Sequence, residues 1–470
     1  MKRVTVKENK FVDESGSEIL LQGINFVCKE KDQGYLWPEH EKLFADFEQW
    51  GFNLIRLGIF WDAVEPEPGV YDEAYLKKIA GVIADAEQYG MYVLLDMHQD
   101  LWSVSYGDGA PEWATLTDGA AHPTDCAMWF DAYLRSDAII NAADHFWKND
   151  SAPDGIGLMD HYQAMWEKIA ETFMNCRNVI GFEPMNEPFM GSIARNSFAM
   201  AAARVRERYP EFDFFQMTGI TPESQKYFMS LVGESFLTFD KETLMPFYRK
   251  MNEAIRKYGE IPLATGGNIY CSSQFPCGIS RVKLSDGREE KWQFYAPHGY
   301  DSVVDSEHYE NFSKENVENL FADKRETQKR LGMPVLVGEW GAFPSKDFTN
   351  DLIDHMNEIL EQYLWSSAYW QYIPGMEKDE NFFALRRAYP AVTEGELISY
   401  HYDRQEECLK ISWKGKQILC YFPFDTWKID LPGSGTEGVS IENVKVLDHA
   451  GWVKITAADP QVVTTVCIKH

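Results

Sequence analysis

The chain has 470 residues, with 45 Lys and Arg against 73 Asp and Glu, a formal net charge of −28. Hydrophobic residues make up 45% and aromatic residues 14%, which excludes an intrinsically disordered chain and supplies more than one core. The acidity excludes sequence-independent nucleic-acid binding, which needs a basic surface to neutralise phosphates, and it opposes attachment to anionic membranes.

Taken in chain order, residues 3–23 (RVTVKENKFVDESGSEILLQG) read as a hairpin of the kind that closes the bottom of a barrel. The opening MKRVTV is followed by charged residues, not by the apolar stretch of a secretory leader, so the expected location is cytoplasmic unless a leader has been removed. From 20 to 372, short apolar runs alternate with amphipathic stretches of helical period, the pattern of a parallel β/α fold. Eight runs qualify as strands: 20–26 (LLQGINF), 53–60 (NLIRLGIF), 91–98 (MYVLLDMH), 179–186 (VIGFEPMN), 261–266 (IPLATG), 294–298 (FYAPH), 334–339 (PVLVGE) and 368–372 (AYWQY). Helices are expected at 39–50, 72–90, 157–176, 238–258, 313–331 and 348–364, and the whole implies a (β/α)8 TIM barrel.

Two long insertions interrupt this rhythm, 99–156 (rich in Gly, Asp and Trp) and 189–237 (rich in Phe and Met), and both belong over the C-terminal mouth of the barrel. Beyond 389 the texture becomes short alternating runs (LISYHY, CLKISWKG, KQILCYF, TWKIDLPGSG, NVKVLDH, GWVKITA, VVTTVCI), the rhythm of a small antiparallel β-sandwich. The expected division is a catalytic barrel over 1–388 and a sandwich over 389–470. No run of about 18 apolar residues is available to span a bilayer. The eight cysteines show no C-x-x-C pair and no adjacent Cys/His cluster, so they read as reduced, mostly buried thiols.

In such barrels chemistry sits at the C-terminal ends of the strands, and those ends are polar here. The first run passes Asn25 and reaches Lys29, and the second carries Arg56. The third ends in Asp96, His98 and Asp100, the fourth in Asn186 and Glu187, the sixth in His298 and Tyr300, the seventh in Glu339 and the eighth in Trp370. Only the fifth, ending in Gly266-Gly267-Asn268, is chemically quiet. Glu187 and Glu339 lie on opposite sides of the mouth, as a retaining glycosidase requires of its two carboxyl groups, about 5 Å apart. The acid must keep its proton, whereas the nucleophile must stay ionised among donors. Pro188 leaves Glu187 one backbone donor fewer, and Arg56 and Tyr300 would face Glu339, so Glu187 is the expected acid/base and Glu339 the expected nucleophile.

The motifs MNEP (185–188), GEWG (338–341) and NLIRLGIFWDAVEPEPGVYD (53–72) resemble those of glycoside hydrolase family 5. DMHQD (96–100) with GDGAPEWA (107–114), DHYQAMWEKIAETF (160–173), APHGYD (296–301) and AYWQY narrow the resemblance to its endoglycoceramidase-like enzymes. The resemblance implies that Arg56, Asn186, His298 and Tyr300 surround the nucleophile and the sugar 2-hydroxyl. It implies that Lys29, Asp96, His98 and Asp100 bind the first sugar, that Trp370 is its aromatic floor, and that neither metal nor cofactor is needed.

The expected function is a retaining β-glycosidase, monomeric, acting on a glycosylceramide or another glycoside with a hydrophobic aglycone. The alternatives are a cytosolic β-glycosidase on soluble plant or sterol glycosides and, from another class, a silent carbohydrate- or lipid-binding protein. Trp102, Tyr106, Trp113, Trp129 and Trp147 read as packing under a long loop before they read as sugar platforms. Phe189, Met190, Phe198, Met200, Phe214, Phe215 and Met217 suit equally a trough for a lipid chain and the hidden face of a lid helix.

Overall fold

Six of the eight barrel strands are buried at every residue, which is why they stand out as apolar runs: a parallel strand covered by helices outside and packed side chains inside has no wet face. The computed structural model describes residues 1–126, 128–213, 218–306, 308–431 and 437–470. The strands are β1 (Gln22–Phe26), β2 (Leu54–Ile59), β3 (Tyr92–Met97), β4 (Val179–Glu183), β5 (Leu263–Thr265), β6 (Gln293–Tyr295, resumed at His298–Gly299), β7 (Leu336–Gly341) and β8 (Ser366–Trp370). Every neighbouring pair is parallel, and the ring closes where β8 pairs with β1 (Ala368 beside Gly23) and β6 with β7 (His298 beside Glu339). The expected (β/α)8 barrel is the observed one.

The N-terminal hairpin, Val4–Lys7 with Lys10–Asp13, plugs the barrel's lower end. Phe11 meets Phe294 edge-on at 5.2 Å within a cluster that includes Val4, Val6, Leu54, Leu94 and Ile180. Outside, the helix Glu73–Gln88 shows how the ring is made. Asp72 caps it by accepting from the backbone N–H groups of Ala74 and Tyr75, and Leu76, Ile79, Ile83 and Ala86 turn to the core.

One connection departs from the β/α rhythm, and one expected helix is corrected. The connection 266–292 between β5 and β6 contains only the short turn Ile269–Ser272 where a helix completes the other units, because its glycines and Pro276 break any helical period. The helix expected at 238–258 is instead Pro222–Phe239, a widened turn Asp240–Leu244, and Met245–Ile255. Pro246 has no N–H to donate, and the backbone widens just before it.

The C-terminal strands β9 (Tyr389–Asp403), β10 (Cys408–Phe422), β11 (Ser440–Leu447), β12 (Ala450–Thr456) and β13 (Val463–Lys469) form an antiparallel sheet. The first half of β10 pairs with β13 and its second half with β12, so one long strand joins both partners around a core that holds Trp413, Ile418 and Val453. Gly395 and Gly415 sit opposite each other at φ 142° and 152°, and a Cβ on either would lie 2.1 Å from a carbonyl of the facing strand. CLKISWKG and KQILCYF are therefore one bent strand. Of TWKIDLPGSG, the described part gives the turn Thr426–Lys428 in place of the expected strand, and 432–436 lie outside the described residues. The sheet also takes in the N-terminus, since Ile19 pairs with Val392. It is fastened to the barrel by the Tyr389 and Tyr421 hydroxyls, which donate to the carbonyls of Gly51 and Gln49 at 2.9 and 2.7 Å. Among the described residues no helix is long and apolar enough to cross a membrane.

Candidate active site

Arg56 is the hub of the mouth. Its side chain, in the middle of β2, is wholly buried. Nε donates to Glu183 Oε2 at 2.8 Å, Nη1 to Asn25 Oδ1 at 2.9 Å and Glu339 Oε1 at 2.7 Å, and Nη2 to Asn186 Oδ1 at 2.8 Å. Asp96 Oδ1 lies 3.1 Å from Nη2. Burial alone would disfavour the guanidinium, but Asp96, Glu183 and Glu339 together hold it charged well above its ordinary range. One cation thus ties together β1, β2, β3, β4 and β7, and fixes the carboxylate on β7.

That carboxylate, Glu339, accepts from Arg56 on Oε1 and from the Tyr300 hydroxyl on Oε2 at 2.8 Å. Donors on both oxygens hold it in one orientation. Glu187, just beyond β4 at φ +40°, sits otherwise. Its Oε1 accepts from Ser272 Oγ at 2.5 Å and lies 2.9 Å from His298 Nδ1. Burial pushes its carboxyl up to about 7, with the Ser272 hydrogen bond opposing. An oxygen of Glu187, a nitrogen of His298 and an oxygen of Glu339 all lie within 4.8 Å of one another, the separation a double displacement needs.

His298 is neutral near pH 7, because burial pushes its imidazole down to about 4 against the pull of Glu339. Its Nδ1 reaches Glu187 and, at 3.4 Å, Glu339 Oε2. His98 behaves oppositely. Burial again disfavours the charge, but Asp96 at 2.8 Å from Nδ1 and Asp100 at 3.6 Å from Nε2 push it up to about 10. This imidazolium stacks on Trp370 (5.4 Å, 16°), and Lys29, ion-paired with Asp100, stands 5.1 Å from the same ring. A flat indole flanked by Lys29, His98 and Asp100 offers what a sugar ring requires: an apolar floor for C–H groups and charged partners for hydroxyls.

The structure therefore gathers all eleven expected site residues, Lys29, Arg56, Asp96, His98, Asp100, Asn186, Glu187, His298, Tyr300, Glu339 and Trp370, at one mouth. It adds three that the reading passed over. Glu183 is buried at the end of β4, and burial pushes its carboxyl up to about 7 against Arg56. Asp108 lies 3.8 Å from Lys29. Ser272 corrects the fifth strand's quietness, since the connection leaving it carries the hydroxyl that meets Glu187. A charge inside the apolar run VIGFE was a legible signal for Glu183, whereas Ser272 had none.

The softer expectations divide. Trp102 is buried, and Tyr106, Trp113 and Trp147 are packed against the core, while Trp129 stays exposed with its Nε1 donating to Asp305 at 3.0 Å. Phe189 and Met190 are buried ahead of the helix Ser192–Arg206, and on that helix Phe198 is on the hidden face while Met200 is exposed. Phe214, Phe215 and Met217 lie outside the described residues. Glu187, His298 and Glu339 are also spaced like metal ligands, but both oxygens of Glu339 are already engaged by Arg56 and Tyr300.

The family model described as "Cellulase (glycosyl hydrolase family 5)" matches residues 12–375. An endoglycoceramidase of Cyanea nozakii is 32% identical over 252 residues, 47% of this chain and 49% of that protein. A glucosylceramidase of Aspergillus fumigatus is 30% identical over 251 residues, 41% of this chain and 33% of that protein. The chain thus matches about half or less of the length of these relatives. In architecture it is similar to endo-glycoceramidase II from Rhodococcus sp., with a TM-score of 0.76 at 21% identity over 98% of this chain and 99% of that one.

Proposed function

The chain belongs to glycosyl hydrolase family 5, and from that membership we propose that it is a retaining β-glycosidase cleaving between a glycan and a hydrophobic aglycone, in the first place a glycosylceramide. The observation that carries this is the pair Glu187 and Glu339, close enough for double displacement and set in opposite environments. Glu339, held by Arg56 and Tyr300, attacks the anomeric carbon as Glu187 gives its proton to the departing aglycone oxygen, leaving a glycosyl ester on Glu339. Glu187, now ionised, takes a proton from water, whose oxygen attacks the same carbon and frees Glu339, so the configuration is retained. Neutral His298 spans both carboxyl groups without adding a charge that would hold Glu187 ionised.

The ceramide reading is supported by the relatives named endoglycoceramidase and glucosylceramidase, and by the cluster of Lys29, His98, Asp100 and Trp370 that suits a sugar. A neutral glycolipid suits so acidic a chain better than an anionic one. Eight free cysteines fit a reducing compartment, so we place the enzyme in the cytoplasm.

Glu339→Gln is expected to lose about a thousandfold or more of kcat on an activated aryl β-glycoside. Glu187→Ala should fail chiefly on poor leaving groups and give the β-glycosyl azide when azide is supplied. Near-normal turnover by Glu339→Gln would sink the assignment. Mass spectrometry of products from glycosylceramide in detergent, beside sterol and soluble plant glycosides, tests the aglycone, and a marked preference for the soluble glycosides would overturn the ceramide reading.

A further inference from the structure

Outside the catalytic mouth, three soft or acidic ligands converge where the sequence shows no metal motif. Cys271 lies on the turn after β5, Cys277 follows six residues later, and Asp240 comes from the widened turn of another connection. One ligand atom of each lies within 4.8 Å of the other two, and Cys271 Sγ is 3.9 Å from Asp240 Oδ2. The two thiols are in hydrogen-bonding contact. Gly267 lies against both: a Cβ there would come within 2.5 Å of one sulfur and 2.9 Å of the other, so glycine leaves the pair its room.

The surroundings are those of a prepared ligand set. Asp240 Oδ1 accepts from the Asn268 N–H and Nδ2 at 3.2 and 2.8 Å, and Oδ2 accepts from the Gly278 N–H at 2.7 Å, which orients the carboxylate as outer-shell partners do in metal sites. The Tyr295 hydroxyl touches Cys277 and offers a fourth donor. Two thiolates and a carboxylate around a divalent cation leave one negative charge. The buried Lys324, whose Nζ donates to the Cys271 carbonyl at 2.7 Å, is placed to neutralise it. Cys277 is only half-buried, which gives an ion a way in.

We propose that Asp240, Cys271 and Cys277 form a binding site for a thiophilic divalent cation, Zn2+ by ligand type and number, which braces the loop that carries Ser272. Binding displaces the two thiol protons to solvent and involves no redox step. Its effect on chemistry runs through position. Ser272, next to Cys271, donates to Glu187 and accepts from the Tyr300 N–H at 3.0 Å, so a cation that fixes Cys271 fixes both contacts. Nothing local in the sequence marks the site, because its third ligand is remote and the cysteine spacing is not of zinc-finger type.

The test uses the reduced whole chain, handled anaerobically, with Co2+ as probe. About one equivalent should give the thiolate-to-cobalt absorption band of a tetrahedral site, and Zn2+ should remove it. The band should be lost in Cys277→Ser and Asp240→Asn and kept in Cys408→Ser, which disrupts the separate thiol contact of Cys408 with Cys467. A readout without variants is alkylation resolved by peptide: Zn2+ should slow labelling of Cys277 by about tenfold. Absence of a band together with unchanged labelling overturns the proposal. So does a band that survives Cys277→Ser, which would place the metal elsewhere, or a disulfide between Cys271 and Cys277 that persists after reduction.

Discussion

At the scale of single residues, two chemically identical side chains are made different by what reaches their oxygens. Glu339 has a guanidinium and a phenol, whereas Glu187 has one hydroxyl and a neutral imidazole. The Ser272 hydrogen bond favours the ionised form of Glu187, so it holds the proton affinity below what burial alone would give. Removing it should raise that affinity. Ser272→Ala is therefore expected to move the basic limb of the kcat/KM profile up by about half to one pH unit and to cost a few-fold in rate near pH 6 through poorer positioning, roughly the value of one neutral hydrogen bond. A limb that stays in place would mean that a group other than Glu187 sets it. The same logic explains the imidazoles, since burial of His98 is outweighed by two aspartates and leaves a cation, whereas burial of His298 outweighs Glu339 and leaves it neutral.

At the scale of elements, the strands hold the site by close approach as much as by hydrogen bonds. Gly338, one residue before the nucleophile on β7, has ordinary negative-φ backbone but no space: a Cβ would lie 2.9 Å from His298 Nε2 and 3.5 Å from Arg56 Nε. Gly338→Ala should fold, at a cost of about 1–3 kcal/mol from overpacking, and lose about a hundredfold in kcat as His298 leaves Glu187. Wild-type activity in a folded Gly338→Ala protein would show that the mouth is softer than its packing implies. The elements that hold the site were readable because β2, β3, β4 and β7 are apolar at nearly every position, so Arg56 and Glu339 stood out against them. Less readable was whatever depends on distant partners. Ile19 on Val392 joins the two ends of the chain with no local pattern, and Ser272 lies in SSQFP, where nothing in the composition points to a carboxylate. Pro246 was legible as a breaker, yet its consequence, a widened turn that delivers Asp240 beside two thiols, was not.

At the scale of the whole molecule, these titrations add to a surface already strongly negative, and together they set how stability depends on pH. Glu187 and Glu183 hold their protons to about pH 7 in the folded chain, against an ordinary glutamate value of 4.5. As pH rises from 4.5 to 7 the unfolded chain releases these protons and the folded one does not, so folding loses free energy over that interval and no more from these groups above it. His98, raised from 6.5 to about 10, contributes fully below pH 6.5 and loses that contribution between 6.5 and 10. Both effects, with self-repulsion at a net charge of −28, tilt the stability maximum to the acid side of neutrality. Glu187→Gln isolates one of them, because glutamine fills the same space, still accepts from Ser272, and never ionises. The side chain of Glu187 keeps 13% exposure, so water tempers the shift, and the variant is expected to be about 1–3 kcal/mol more stable than the parent at pH 8. The difference should shrink to about 0.4 kcal/mol at pH 4.5, where the folded carboxyl is protonated and the unfolded one half so, and vanish below that. Thermal unfolding of the two proteins across that range measures it directly. Equal stability at pH 8 would mean that the acid/base does not keep its proton, and a gap of the same size at pH 4.5 would assign it to packing.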